Sequence, residues 1–275
     1  MQTDYVQRFL FEELDIRGRL VCLTGAWRRM SAERGYPADI ARLLGETTTL
    51  AVLLGANQKG RNRVTLQVQG EGRVRLLVAD CTAALKIRGM AQYDDLPGPP
   101  FARGRLAVTL EDAASGQLYQ SLVPLEGTTL PEIFEHYLAQ SEQGEARLWL
   151  YADERAVCGL LLEKLPGAER RDADGWNRVT RLAATLTLAE TVDAQPYDLL
   201  TRLFPEELLR VFRLYPVEYH CPDDVEKVKD VLRGLGRAEL DSILAEKGEV
   251  VIRNEMCNHE YRFGARDIAQ LFAMH

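Results

Sequence analysis

Two cysteines near the C-terminus, Cys221 and Cys257, are the residues whose type and spacing could do chemistry. They lie 36 positions apart in a module of about 60 residues, which we place at residues 217–275. A module that small has difficulty holding a core by packing alone, and such modules are often closed by a metal ion or by disulfide bonds. The pair is therefore the first candidate for a functional site.

Motifs for enzymatic chemistry are absent from the sequence. Residues 55–62 have the glycine spacing of a phosphate loop, but Arg61 and Asn62 stand where Lys and Ser or Thr are required. The chain has no Gly-x-Ser-x-Gly elbow and no His-Glu-x-x-His helix. Acid–base catalysis would have only four histidines to draw on: His136, His220, His259 and His275. We expect a protein that is not an enzyme.

Composition narrows the class of partner. The 275 residues carry a net charge of −7 and no basic block, which argues against nucleic acid or an anionic membrane as a partner. The most apolar stretch, Leu50–Ala56, is far shorter than a bilayer span, and the N-terminus does not read as a signal peptide. Five widely spaced cysteines do not form a secreted disulfide framework, so we expect a cytoplasmic protein. Three of them, Cys22, Cys81 and Cys158, read as small core residues.

Residues 1–165 predict an α+β domain with an antiparallel sheet. Val64, Leu66 and Val68 alternate with polar residues, and a glycine-rich turn follows at residues 70–72. A long helix is expected at about Pro37–Ala56 and a shorter one from about Thr129. The other expected strands are Arg17–Leu23, Val74–Val78, Leu85–Ala91, Leu106–Leu110, Leu118–Leu125, Arg147–Tyr151 and Val157–Leu162.

A charged, glycine-flanked stretch at residues 167–175 predicts a domain boundary. Residues 166–216 read as a helical linker, with amphipathic helices between Trp176 and Phe212 that are broken by Pro196 and Pro205. We expect these helices to lie on the sheet of the first domain and to come off at low cost. The last module should contain a short strand, helices at Asp223–Leu235 and Ala238–Lys247, a hairpin near Val250–Phe263 and a final helix to Phe272.

Short motifs in the right order along nearly the whole chain resemble the heat shock protein 33 family. Residues 232–250 and 257–263, followed by Asp267-Ile268, carry the resemblance most strongly. Upstream matches lie at residues 8–12, 17–18, 68–72, 88–89, 124–127 and 141–143. Each motif alone is weak, but their order and spacing together are specific.

The resemblance implies a chaperone. Members of this family have an α+β substrate-binding domain, a metastable helical linker and a C-terminal zinc module. They capture unfolding client proteins without ATP, in the cytoplasm, under oxidative or heat stress, and the active form is a homodimer. Four cysteines, one Cys-x-Cys pair and one Cys-x-x-Cys pair, bind the zinc. Oxidation pairs neighbouring cysteines, releases zinc and unfolds the module and linker.

This chain departs from the family pattern at the cysteines themselves. The Cys-x-Cys position reads Tyr219-His220-Cys221, and the Cys-x-x-Cys position ends in Cys257 but begins with Asn254. One cysteine is missing from each pair. Neither the four-thiolate zinc site nor the two neighbouring disulfides of the family can form.

Two interpretations of the remaining ligands stay open. Structural zinc needs four ligands, and Cys221, Cys257, His220 and His259 could supply a Cys2His2 substitute. His220 and Cys221 would point to opposite faces of an extended strand, however. The stronger interpretation has no metal: both histidines are surface residues, while Tyr219 and Met256 fill space at the former site. The family resemblance implies zinc as a cofactor, but this chain lacks two of the four thiolates that would hold it.

The two thiols could also bond to each other. In the family both positions ligate one zinc, which would place the sulfurs roughly 3.8 Å apart. A bond between them would close a loop of about 35 residues and stabilise the module by roughly 4 kcal/mol. Oxidation would then staple the module instead of melting it, leaving activity constitutive or heat-dependent. The alternatives are two buried thiols without a role, and a thiol- or metal-dependent regulatory binding protein that has lost chaperone activity.

Overall fold

The computed structural model describes residues 4–56, 62–112, 114–125, 127, 129–141, 144–222 and 224–273. Several residues named above lie outside the described residues. They are most of the phosphate-loop-like segment 55–62, the motif residues Glu126, Glu142 and Gln143, and also Asp223 and His275. The chain divides into two compact units, Met1–His220 and Cys221–His275, which we call the N-terminal and C-terminal units.

The N-terminal unit contains twelve strands and seven helices within the described residues. In chain order they are β1 (Tyr5–Phe11), β2 (Ile16–Leu23), α1 (Gly25–Ser31), α2 (Ala38–Gly55), β3 (Asn62–Gly70), β4 (Val74–Cys81), β5 (Lys86–Tyr93), β6 (Gly104–Asp112), β7 (Leu118–Pro124), α3 (Leu130–Ser141), β8 (Ala146–Ala152), β9 (Val157–Lys164), α4 (Ala168–Arg171), α5 (Gly175–Ala183), α6 (Leu188–Asp193), α7 (Pro196–Leu203), β10 (Leu209–Val211), β11 (Tyr215–Pro216) and β12 (Glu218–Tyr219).

Two six-stranded sheets form the framework of this unit. The first, sheet A, has the order β10-β1-β2-β9-β8, with β11 also paired to β1. The second, sheet B, has the order β12-β5-β4-β3-β6-β7. All pairings are antiparallel except that of β12 with β5, which is parallel. The antiparallel α+β architecture expected from the sequence is confirmed.

Helix α2 connects the two sheets through one large core. It contacts β2, β8 and β9 of sheet A and β3, β4 and β5 of sheet B. The buried hydroxyls of Thr47, Thr48 and Thr49 each donate to the carbonyl four residues earlier. These three donors are therefore satisfied although they lie inside the protein. Central strands of sheet A are buried on both faces, because α2 covers one face and a second hydrophobic cluster covers the other.

The prediction that the linker is helical as far as Phe212 is wrong for its last part. Helix α7 ends at Leu203, and residues 209–211 form β10 instead of continuing to Phe212 as helix. Pro205 prevents continuation of the helix. The chain then adds to the edge of β1, where Phe9 pairs with Val211 and Phe11 with Leu209. The same edge carries β11.

The C-terminal unit is a small α+β fold with its own core. Its elements are α8 (Val225–Leu235), α9 (Arg237–Lys247), the hairpin β13 (Val250–Asn254) and β14 (His259–Phe263), and α10 (Ala265–Ala273). Gly236 and Gly248 take positive φ at the ends of α8 and α9, as expected for glycine at these turns. The buried core is formed by Val228, Leu232, Leu240, Val250, Tyr261, Phe263, Ile268 and Leu271.

Candidate functional site

Cys221 and Cys257 are joined by a disulfide bond within the C-terminal unit. Cys221 precedes α8, and Cys257 lies in the turn between β13 and β14, where its N–H donates to the Asn254 carbonyl over 3.2 Å. Asn258 completes this turn with φ of 57°, a conformation that asparagine tolerates better than most residues. The two Cα atoms are 5.6 Å apart, which suits a disulfide. The bond ties the segment before α8 to the tip of the hairpin.

The two residues that replace family cysteines lie in different surroundings. Tyr219 belongs to β12 of the N-terminal unit, opposite Ile87 of β5, and its half-buried side chain packs against the large core. Asn254 is the last residue of β13 and pairs with His259. Tyr219 therefore fills space in the N-terminal core, and Asn254 ends a strand.

The two candidate histidines are exposed. The backbone N–H of His220 donates to the Ile87 carbonyl over 3.1 Å, which extends the pairing of β12 by one residue. The ring of His259 packs edge-on against Tyr261, with centroids 4.6 Å apart. Both positions are structurally accounted for by these contacts.

The donor set does not fit the zinc site that the family resemblance implies. Structural zinc takes four ligands, and thiolates bind it only when deprotonated and unbonded. Here the two sulfurs at the site are bonded to each other. Across the part of the chain that the structure describes, no three His, Cys, Asp or Glu side chains are arranged to hold a metal ion.

A helical cover, residues 175–204, lies on the face of sheet A opposite α2. It consists of α5, α6 and α7 with the residues that connect and follow them. Its buried side chains share one hydrophobic cluster with those of β1, β2 and β9. The cover contributes Trp176, Val179, Ala183, Leu186, Leu199, Leu200 and Phe204, and the sheet contributes Tyr5, Phe9, Phe11, Ile16, Leu20, Cys22, Cys158, Leu160 and Leu162. The sequence expectation that this segment packs on the sheet is confirmed for α5–α7.

Polar contacts fasten the cover. Arg178 on α5 donates to Glu207 over 2.7 Å and to Asp172 over 3.0 Å, so it joins the residues before and after the helices. Helix α6 begins with a capping box, in which Thr187 and Glu190 bond reciprocally. Pro196 occupies the first turn of α7, where a proline is tolerated. These local contacts fix the helix ends without burying many charges.

Three short strands then carry the chain from the cover to the C-terminal unit. β10 and β11 pair with β1 of sheet A, and β12 pairs with β5 of sheet B. Gln7, which is buried, also donates through its side chain to the Phe212 carbonyl over 2.6 Å. Because each of these strands has only two or three residues, the ladder holding this segment is short.

The comparison with known proteins agrees with this architecture. A model of the Hsp33 protein family matches residues 4–264. The chain belongs to the Hsp33 family. A 33 kDa chaperonin of Nitrosococcus oceani is 39% identical over 274 residues, covering 98% of this chain and 94% of that protein. A 33 kDa chaperonin of Hahella chejuensis is 38% identical and covers 99% and 98%. The resemblance predicted from the motifs is confirmed.

A solved Hsp33 structure supports the fold. The crystal structure of the 33 kDa chaperonin, an Hsp33 homologue, from Thermotoga maritima aligns with a TM-score of 0.83 over 99% of each chain, at 20% identity. The chain is thus a member of a chaperone family with that family's fold. In the described ranges of this Hsp33 chain, no helix is both long and apolar enough to cross a membrane.

Proposed function

We propose that this Hsp33 chain is an ATP-independent holdase that binds unfolding proteins in the cytoplasm and prevents their aggregation during heat or oxidative stress. The observation that carries the proposal is the cover of α5–α7 over the apolar face of sheet A. Such a face, once uncovered, is the kind of surface that unfolded chains bind. Its clients would be partly unfolded proteins, with a homodimer as the expected active form.

The face under the cover is strongly apolar and partly aromatic. Phe9, Phe11 and Phe204 form an aromatic cluster with centroid distances of 4.9 to 6.1 Å. Phe204, directly after α7, is the member that the cover contributes. Release of the cover would leave Phe9 and Phe11 exposed. Each large side chain lost from the core costs about 1.5–3 kcal/mol of burial, which a bound client would restore.

Control of this cover should differ from that of the family. The disulfide closes a loop between residues 36 positions apart, and the chain-entropy estimate for such a loop is about 4 kcal/mol of stabilisation. Oxidation therefore strengthens the C-terminal unit, which continues directly from β12. Zinc release has no counterpart in this donor set. Heat, or constitutive opening in a reducing compartment, takes the place of oxidative activation.

A client-protection assay tests this proposal. Aggregation of a heat-labile enzyme is followed by light scattering without ATP, using the chain as purified, after reductant and after peroxide. We expect protection that needs heat but not peroxide. The double variant C221A/C257A should protect at least as well as the disulfide-bonded chain. The variant C81A, which keeps the disulfide, serves as the matched control.

Two results would contradict the proposal. The first is protection that appears only after peroxide, with hydrogen exchange showing that peroxide unfolds residues 166–275. This result would mean that the chain is activated by oxidation as the family is. A chain that never suppresses aggregation would instead support the regulatory binding protein without chaperone activity, an alternative that family membership does not favour.

A further inference from the structure

A second pair of cysteines lies face to face inside sheet A. Cys22 on β2 and Cys158 on β9 are directly paired positions of antiparallel strands, although they are 136 residues apart in the chain. The Cys158 thiol donates to the Cys22 Sγ over 2.8 Å. Both are free thiols and are almost completely buried, with 2% and 0% of their surfaces exposed.

Their geometry is already close to that of a disulfide. Directly opposed residues of antiparallel strands have Cα atoms about 4.5 to 5.5 Å apart, inside the range of about 4.4 to 6.8 Å found for disulfides. The sulfurs need to approach by less than 1 Å to reach a bond of roughly 2.05 Å. Cys81 offers a contrast, because it lies on β4 of the other sheet, opposite Ile87 and Val64.

The cover determines whether this pair can react. Cys22 and Cys158 belong to the cluster that α5–α7 bury, together with Trp176 and Phe204. Burial raises the pKa of the Cys158 thiol well above its ordinary value, and the hydrogen bond with Cys22 adds to this. Because thiolates are the reactive form, the covered pair is protected from oxidants. The Tyr5 side chain, opposite Cys22 on β1, is also buried, and burial raises the pKa of its hydroxyl. It therefore stays protonated and does not accept a proton from either thiol.

We propose that Cys22 and Cys158 are a second redox site, which peroxides oxidise to an intramolecular disulfide once α5–α7 leave sheet A. One thiolate attacks a peroxide oxygen and becomes a sulfenic acid, releasing water. The second thiol then attacks that sulfur, forms the S–S bond and releases a second water, so two thiols and one hydrogen peroxide give one disulfide and two waters.

The bond would join β2 to β9 on the face that binds clients. It would hold the two central strands together while the cover is absent, and it would form only when heat and oxidant act at the same time. This inference rests on the proposed movement of the cover. Its readout is the state of the thiols in the absence of any client, so it can fail while the holdase proposal stands.

The test is a thiol map of the full chain after peroxide treatment at a series of temperatures. Samples are denatured and alkylated, and their peptides are analysed by mass spectrometry without reduction. Below the temperature at which the cover opens, we expect Cys22, Cys158 and Cys81 all to be alkylated. Above it, Cys22 and Cys158 should be linked to each other, with Cys81 still alkylated.

A matched pair of variants separates opening of the cover from general loosening. Trp176→Ala removes a large buried side chain from the cover. It should allow the Cys22–Cys158 link at the low temperature, roughly tenfold faster than in the wild type or more. Val21→Ala removes a neighbouring side chain on the opposite face of β2, within the large core, and should not accelerate the link.

The contrary results are equally specific. Equal acceleration in both variants, or linkage at every temperature in the wild type, would show that the cover does not gate the pair. Sulfinic or sulfonic acid at Cys22 and Cys158 without linkage would show that the two thiols do not act together. The temperature series on the wild-type chain decides the proposal even if Val21→Ala does not fold.

Discussion

At the scale of single residues, Glu46 links the stability of the N-terminal unit to pH. This carboxyl is 8% exposed within α2, and burial raises its pKa to about 6, while Arg42 one turn earlier opposes the shift. Arg42 is about half exposed and 3.5 Å away, so it compensates only partly for the burial. The charged form of Glu46 therefore costs stability.

The substitution Glu46→Gln should stabilise the chain at neutral pH but not in acid. An acid with a raised folded pKa favours the folded state when protonated, so the cost is full above about pH 6 and disappears as pH falls through the unfolded value near 4.5. The rise in the pKa of Glu46 corresponds to roughly 2 kcal/mol of unfolding free energy at neutral pH. Calorimetry at pH 5 and 7.5 measures it.

Glu71→Gln, at an exposed turn, is the control for removal of one charge. It should change the melting temperature little at either pH. A gain for Glu46→Gln that is the same at both pH values would show that side-chain packing, and not the charge, limits stability at this position.

The two cysteine pairs show what a single sequence can and cannot predict about residues. Cys221 and Cys257 can be identified as a candidate site because a small module often needs a metal ion or a disulfide to hold its core. Their capacity to bond to each other follows from the family resemblance. Cys22 and Cys158 are predicted correctly only as buried residues. Their contact depends on the register in which β2 pairs with β9. The two cysteines are 136 residues apart, and no local sequence pattern specifies the register between such distant strands.

At the scale of elements, Arg178 is the main polar fastener of the cover. Its hydrogen bonds reach Glu207 beyond α7 and Asp172 before α5. The bond from Arg178, together with the backbone N–H of Asp174, lowers the pKa of Asp172 below its ordinary value. The interaction is therefore intact at neutral pH and weakens only when the pH falls low enough to protonate Asp172.

Arg178→Ala should let the cover open more easily. Because the ion pairs of Arg178 are partly exposed, we expect their loss to raise the equilibrium constant for opening of the cover about fivefold. The measurement is the rate of hydrogen exchange in residues 175–203 at pH 7. Arg202→Ala on α7 is the control, because its side chain is 60% exposed and lies 4.0 Å from Glu190. Equal effects of the two variants would argue that Arg178 is an ordinary surface charge.

The elements of the linker were predictable only where their signal is local. The apolar spacing and the prolines locate α5–α7, because an amphipathic helix repeats within its own sequence. Strands β10, β11 and β12 have two or three residues each and no measurable period. They form because β1 and β5 offer open edges, and that is a property of the assembled sheets.

At the scale of the whole molecule, the two units have separate cores and should unfold separately. Among its described residues the C-terminal unit buries eight apolar side chains and has one disulfide, whereas the N-terminal unit has two much larger clusters. Reductant should therefore lower the melting temperature of the C-terminal unit, since about 4 kcal/mol of stabilisation is lost. The N-terminal transition should not move.

Calorimetry with and without reductant measures this difference, and hydrogen exchange assigns each transition to its unit. The variant C221A/C257A should behave as the reduced chain does, with or without reductant. A single transition that shifts as one would mean that the units unfold cooperatively, and the redox state of the C-terminal unit would then set the stability of the entire chain.

The short strands after the cover have one further consequence, which concerns the chaperone's own solubility. β10 and β11 occupy one edge of sheet A, and β12 occupies one edge of sheet B. Unpaired strand edges are templates on which other chains add, and folded proteins usually shield them. Residues 209–219 thus cap two such edges at once. If residues 209–219 were released together with the cover, β1 and β5 would have open edges, and clients and other copies of the chain would compete for the same backbone hydrogen bonds.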